Sequence, residues 1–150
     1  MSTWDYELVD VANRHPTLLR VRGLAKQTGY DFSGTSDVAI VLKQSARIDQ
    51  PASGLRIVFE LKRNASQDDH YQALITLLLS NQLSGSLKPI VVVTDLNEHY
   101  CFYWLDDHTI FYCTVDDPGM ALGIIKGCLI QEQVNAVCEV QPVQVRPYPF

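Results

Sequence analysis

The run Leu55-Arg56-Ile57-Val58-Phe59-Glu60-Leu61-Lys62 constrains the fold more than any other stretch of the chain. It is rich in β-formers and reads as a strand. Side chains alternate along a strand, so Glu60 and Lys62 share one face while Phe59 and Leu61 share the other. Apolar residues precede them on both faces, so the strand is expected to be covered on both sides. A carboxylate and an ammonium at such a place need partners or a metal, because uncompensated burial of charge is expensive. A second continuous apolar run, Pro89 to Thr94, reads as the middle of the same covered sheet.

The other elements follow from periodicity and punctuation. Residues 3–15 predict a helix with Trp4, Leu8, Val11 and Ala12 on one face, ended by Pro16. Leu18 to Gly23 reads as a strand, followed by a polar stretch through Gly34. Ser36 to Leu42 is a further strand, and Gln44 to Gly54 a loop with Pro51 and Ser53-Gly54 as turn signals. Residues 67–83 predict a helix whose N-terminus Asp68 and Asp69 favour through the dipole. It is expected to bury Leu74, Ile75, Leu78 and Leu79 and to break at Ser84-Gly85-Ser86. Strands over Tyr100 to Leu105 and Thr109 to Thr114 come next. Asp117 as cap and Pro118 at the first helical position open a last helix carrying Ala121, Ile124, Ile125, Cys128 and Leu129. This order gives a mixed sheet flanked by helices. At 150 residues the chain reads as one α/β domain over 1–150.

An apolar fraction of 47% with 19% charged residues excludes disorder and predicts a globular fold. No apolar run is long enough to cross a bilayer, since Ala73 to Leu79 is short and broken by Thr76. No basic start followed by an apolar stretch opens the chain, so no signal peptide is visible. The tail Arg146-Pro147-Tyr148-Pro149-Phe150 ends without a closing element, as expected for a domain excised from a longer chain. Cys101, Cys113, Cys128 and Cys138 have neither C-x-x-C spacing nor a completing histidine pattern, so they read as core thiols in a reducing compartment. The net charge of −5 argues against a nucleic-acid partner, but it is unevenly placed. Residues 1–63 carry +2 and residues 64–150 carry −7, and the acidic candidates below lie in the more basic part.

Asp37 stands at the start of its apolar strand, and the intervening loop suits antiparallel pairing with the Leu55 strand. Asp37 then lies beside Glu60. Two carboxylates converging with a lysine make a hard-oxygen cation site, to which the backbone carbonyl of Leu61 adds a ligand. These groups would hold Mg²⁺, which would supply Lewis acidity toward a phosphodiester and a hydroxide near neutral pH. Lys62 then orients the water or stabilises the charge developing on phosphorus.

Gly34-Thr35-Ser36-Asp37, then Val58-Phe59-Glu60-Leu61-Lys62-Arg63, then a helix carrying Gln72, resembles the PD-(D/E)XK nuclease superfamily over roughly residues 3–130. The resemblance implies a restriction-endonuclease-like fold and a Mg²⁺- (or Mn²⁺-) dependent endonuclease acting on nucleic acid, with DNA as the expected substrate. It implies metal binding by Asp37 and Glu60, support from Gln72, and a carboxylate from the first helix, which maps to Glu7. Ser36 replaces the proline of the family name. Gln72-Ala73-Leu74-Ile75, Val93-Thr94-Asp95-Leu96-Asn97 and Tyr100-Cys101-Phe102-Tyr103-Trp104-Leu105 are similar to the nuclease-type domain of Crinkler-like effectors from oomycetes and fungi. That likeness implies action inside a host cell, commonly in the nucleus.

Each of these residues also has a plainer role. Glu60 and Lys62 serve equally as a salt bridge at a sheet edge. Gln72 serves as a solvent-facing helix residue, and Glu7 as the polar face of an amphipathic helix. Tyr71 is expected to pack rather than stack on a base. Tyr100, Phe102, Trp104, Phe111 and Tyr112 alternate along strands, which favours sheet packing over a stacking platform. No Ser-His-Asp arrangement and no phosphate-cradling glycine loop is present. The alternative to an enzyme is a catalytically silent module that binds a protein partner or nucleic acid, or a subunit completed by a homodimer.

Overall fold

The structure is a computed structural model and describes residues 5–16, 18–21, 32–34, 36–84, 87–130, 134, 137–138 and 144–149. In chain order the elements begin with β1 (Tyr6–Asp10), α1 (Val11–Arg14), β2 (Leu19–Val21), β3 (Phe32–Gly34) and β4 (Val38–Leu42). Next come α2 (Lys43–Arg47), a 3-10 turn (Pro51–Gly54), β5 (Leu55–Leu61), α3 (Gln67–Ser84) and β6 (Ile90–Thr94). The chain finishes with β7 (Tyr100–Asp106), β8 (Thr109–Val115), α4 (Pro118–Ile130) and β9 (Arg146–Pro147).

Seven strands form one sheet in the order β1-β4-β5-β6-β7-β8-β9, and β2 pairs with β3 in a separate ribbon. Pairing is antiparallel throughout the large sheet except between β5 and β6. That parallel pair needs a crossover, which α3 provides. The fold is therefore α/β with a mixed sheet, consistent with a restriction-endonuclease-like arrangement.

Both faces of the sheet are covered. Val41, Val58, Val91, Val93 and Tyr103 pack with Leu74 and Leu77 of α3. Ile57, Phe59, Val92, Phe102 and Trp104 pack with Ala121, Ile124 and Cys128 of α4. Every residue of β6 is buried, as its unbroken apolar run predicted. Alternate residues of β7 enter opposite layers, so its aromatic run fills core, as the alternation predicted. All four cysteines are free and buried.

Four expectations need correction. Within the predicted helix over 3–15, residues 6–10 instead form strand β1, antiparallel to β4, followed by the single helical turn of α1, and Trp4 lies outside the described residues. Asp10 caps that turn, its side chain accepting the Asn13 N–H at 3.2 Å. The predicted loop over 44–54 contains α2 and the 3-10 turn, and the polar stretch before Gly34 contains β3. On α3 the buried side is Ala73, Leu74, Thr76, Leu77, Leu79, Ser80 and Ser84, whereas Ile75, Leu78 and Tyr71 are exposed. The small hydroxyl residues face the sheet, and three large apolar residues face out.

Candidate active site

The site is assembled where β4 enters the sheet beside the end of β5. The Asp37 N–H donates to the Phe59 carbonyl at 3.2 Å, which fixes Asp37 next to Glu60 and Leu61. The Asp37 carboxylate then turns onto β5, where its Oδ2 accepts the Leu61 N–H at 2.8 Å. The N–H and carbonyl of one strand residue leave on the same side. The Leu61 carbonyl therefore leaves β5 on the side of Asp37. On the far side of β5, Lys62 N–H donates to the Thr94 carbonyl at 2.9 Å and continues the pairing with β6.

Glu60 points toward α3 and is only 4% exposed. Its Oε1 accepts the hydroxyl of Thr76, itself fully buried, at 3.2 Å. Burial pushes the Glu60 carboxyl from the ordinary 4.5 up to about 7. The Thr76 hydrogen bond and the Lys62 charge act against that rise, and the Asp37 and Asp69 charges add to it. The three groups named from the sequence thus sit close enough to feel one another. Glu60 and Lys62 both meet groups on α3, as the strand alternation requires.

Lys62 is 41% exposed, and its Nζ lies 3.7 Å from Asp69 Oδ1. Asp69 belongs to a capping box at the start of α3. Its Oδ2 accepts the Ser66 N–H at 2.9 Å, and the Ser66 hydroxyl accepts the Asp69 N–H at 3.3 Å. Those hydrogen bonds hold the Asp69 carboxyl below the usual carboxylate range. The helix therefore fixes an anion beside Lys62 for reasons of its own stability.

Gln72 is half-buried on α3, one turn before Thr76 and along the same line as Asp69. Glu7 is placed differently from expectation. It lies on the edge strand β1, opposite Val41, and Asp10 is the β1 residue that faces Val38 beside Asp37. Three residues along a strand is about 10 Å, so Glu7 stands away from the carboxylates. It borders a shallow depression with Arg14 and Arg47 instead.

Thr76 and Asp69 are the site residues that sequence reasoning missed. Thr76 was visible as the polar interruption of an apolar helical run. Asp69 was visible as the fourth residue of a Ser-x-x-Asp cap.

Among the described residues no group of three or more His, Cys, Asp or Glu side chains is placed to hold a metal. Mg²⁺ asks for less, because it commonly takes one or two carboxylates and keeps several waters. Asp37 and Glu60 each engage one oxygen and keep the other, and the Leu61 carbonyl adds a hard donor. The donor set fits Mg²⁺ or Mn²⁺ in kind. No family model, no curated protein and no solved structure matches this chain.

Proposed function

We propose that the chain is a metal-dependent nuclease that hydrolyses phosphodiester bonds, with DNA as the substrate. The observation that carries this reading is the convergence at the end of β5. Asp37 is tied to Leu61, Glu60 lies beside them, and Lys62 follows two positions on. Asp37, Glu60 and the Leu61 carbonyl would hold Mg²⁺ or Mn²⁺, which supplies Lewis acidity and lowers the pKa of the attacking water. Lys62 orients that water and offsets charge developing on the phosphoryl oxygens. Thr76 fixes the Glu60 rotamer by its hydrogen bond, and Gln72 supports the same corner from one turn earlier. The resemblance to Crinkler-like effectors adds the proposal that the nucleic acid belongs to a host nucleus.

The test is cleavage of plasmid and linear DNA with Mg²⁺ or Mn²⁺. The wild type is expected to cut, and Asp37→Ala or Lys62→Ala to lose at least about 100-fold in rate. A wild type that leaves several substrates intact with both metals rejects the reading.

A second reading has its own support. Glu60 is almost closed to solvent, and Lys62 is already paired with Asp69. Both features suit a silent module that keeps the fold and binds a partner. Calorimetry with Mg²⁺ separates the two. The nuclease binds the metal and loses it on Glu60→Ala, while the silent module gives no saturable heat in either form.

A further inference from the structure

A cleft of about 520 Å³ opens beside Lys62. It is bounded by the β5–α3 connection, the start of α3, and the ends of β6, β7 and β8, and neither Asp37 nor Glu60 lines it. Lys62 and Arg63 bring two cations to one wall, and His70 stands beside them. Asp95 and Asp116 also line the cleft, and Asp95 Oδ1 is occupied. It accepts the N–H groups of Asn97, Glu98 and His99 at 2.8, 2.9 and 3.0 Å. Those donors commit that oxygen to the turn and hold the Asp95 carboxyl below the usual carboxylate range.

The feature that gives the cleft a direction is the His70 ring. Its Nδ1 lies 2.5 Å from the Tyr103 hydroxyl, and the two rings meet edge to face at 5.9 Å. Tyr103 is buried at 2% exposure, which keeps its phenol protonated and a donor. The Cys101 thiol also approaches that hydroxyl, and of these two acceptors the imidazole nitrogen is the stronger. With the phenol donating to Nδ1, the ring carries its own proton on Nε2. An anchored ring N–H next to two cations is a set of donors for phosphate oxygens.

We propose that this cleft is the subsite for a phosphate group of a nucleic-acid strand, held by Lys62, Arg63 and His70, with Tyr103 as the positioning residue for His70. The nucleic-acid origin of the phosphate rests on the nuclease reading. The phosphate affinity rests on the cleft alone.

The probe is inorganic phosphate, added to the whole chain without divalent metal at neutral pH. The readout is the carbon-bound imidazole proton of His70 by NMR, with the exposed His108 on the β7–β8 turn as internal control. A saturable shift confined to the cleft is expected. Its midpoint should move about fivefold higher in Tyr103→Phe, which keeps the ring and removes only the hydroxyl. Arg63→Gln should weaken it as well. The proposal is overturned if His70 stays still or moves only in step with His108. It is also overturned if folded Tyr103→Phe binds phosphate as the wild type does. The cleavage assay on the same preparation keeps the two ideas apart. Phosphate binding without DNA cleavage rejects the nuclease and leaves the subsite standing, and cleavage with a silent His70 does the reverse.

Discussion

Glu60 carries the sharpest consequence at the scale of single residues. Its folded pKa, about 7, lies above the ordinary 4.5, with burial as the first cause. Below the ordinary value both the folded and unfolded chains hold the proton, and the stability linked to Glu60 is fully present. As pH rises through about 7 the folded chain must ionise a buried acid, and that stability is lost. A displacement of this size corresponds to about 3 kcal/mol at most. Glu60→Gln keeps the shape and removes the charge. It should therefore be more stable than the wild type by about 1–3 kcal/mol near pH 8 and show no gain near pH 4. Urea melts at the two pH values measure this, and an equal effect at both would rule out ionisation as the cause. Thr76 sits on the other end of the same bond. Thr76→Val should cost about 1–2 kcal/mol near pH 8 and less in acid, because a charged acceptor loses more than a neutral one. The shared side of Glu60 and Lys62 on β5 was legible in the sequence because strand alternation fixes it. Thr76 was not assigned a partner, because helical phase relative to the sheet is set by packing rather than by local pattern.

Helix and strand signals misled in instructive places. Leu8, Val11 and Ala12 mimic a helical stripe near the N-terminus, yet Leu8 is 67% exposed and Val9 is the residue that enters the core. Tertiary pairing with β4 outweighed the spacing, since a short run offers too few residues for its period to decide. The strands β4, β5 and β6 were legible because their apolar runs are long and dense in β-formers. On α3 the apolar residues ring the helix, so sequence marked the helix but not its buried side. Gly127 of α4 turns the same contrast into an experiment. Helix propensity alone predicts that Gly127→Ala stabilises by about 1 kcal/mol. The structure predicts the opposite, because a Cβ there would meet Val137 Cγ1 at 2.5 Å. The expected result is a loss of about 1–3 kcal/mol in a urea melt, as overpacking typically gives. A gain in stability would mean that Val137 does not rest on α4.

Charge sets the behaviour of the whole molecule toward nucleic acid. The net charge of −5 opposes long-range attraction to a polyanion, so binding must come from a few local contacts. Of the basic residues in the first part of the chain, Arg56 is buried and donates to the carbonyls of Leu87 and Cys128. It clamps the α3–β6 connection to the end of α4 and is closed to a ligand. Arg22 and Lys26 lie outside the described residues. The cations that border the cleft are Lys62 and Arg63. Each phosphate neutralised releases counterions, and two contacts on duplex DNA give a slope of log K against log salt of about −2. Fluorescence anisotropy across a salt series, with Ca²⁺ in place of Mg²⁺ to hold off cleavage, measures that slope. Arg63→Gln should make it shallower by about one. A slope of about −5 or steeper would require phosphate contacts beyond the cleft and would contradict the two-cation account. Light scattering at the same protein concentration then decides between further contacts from this chain and contacts from a second copy, because only the second copy doubles the mass as binding steepens.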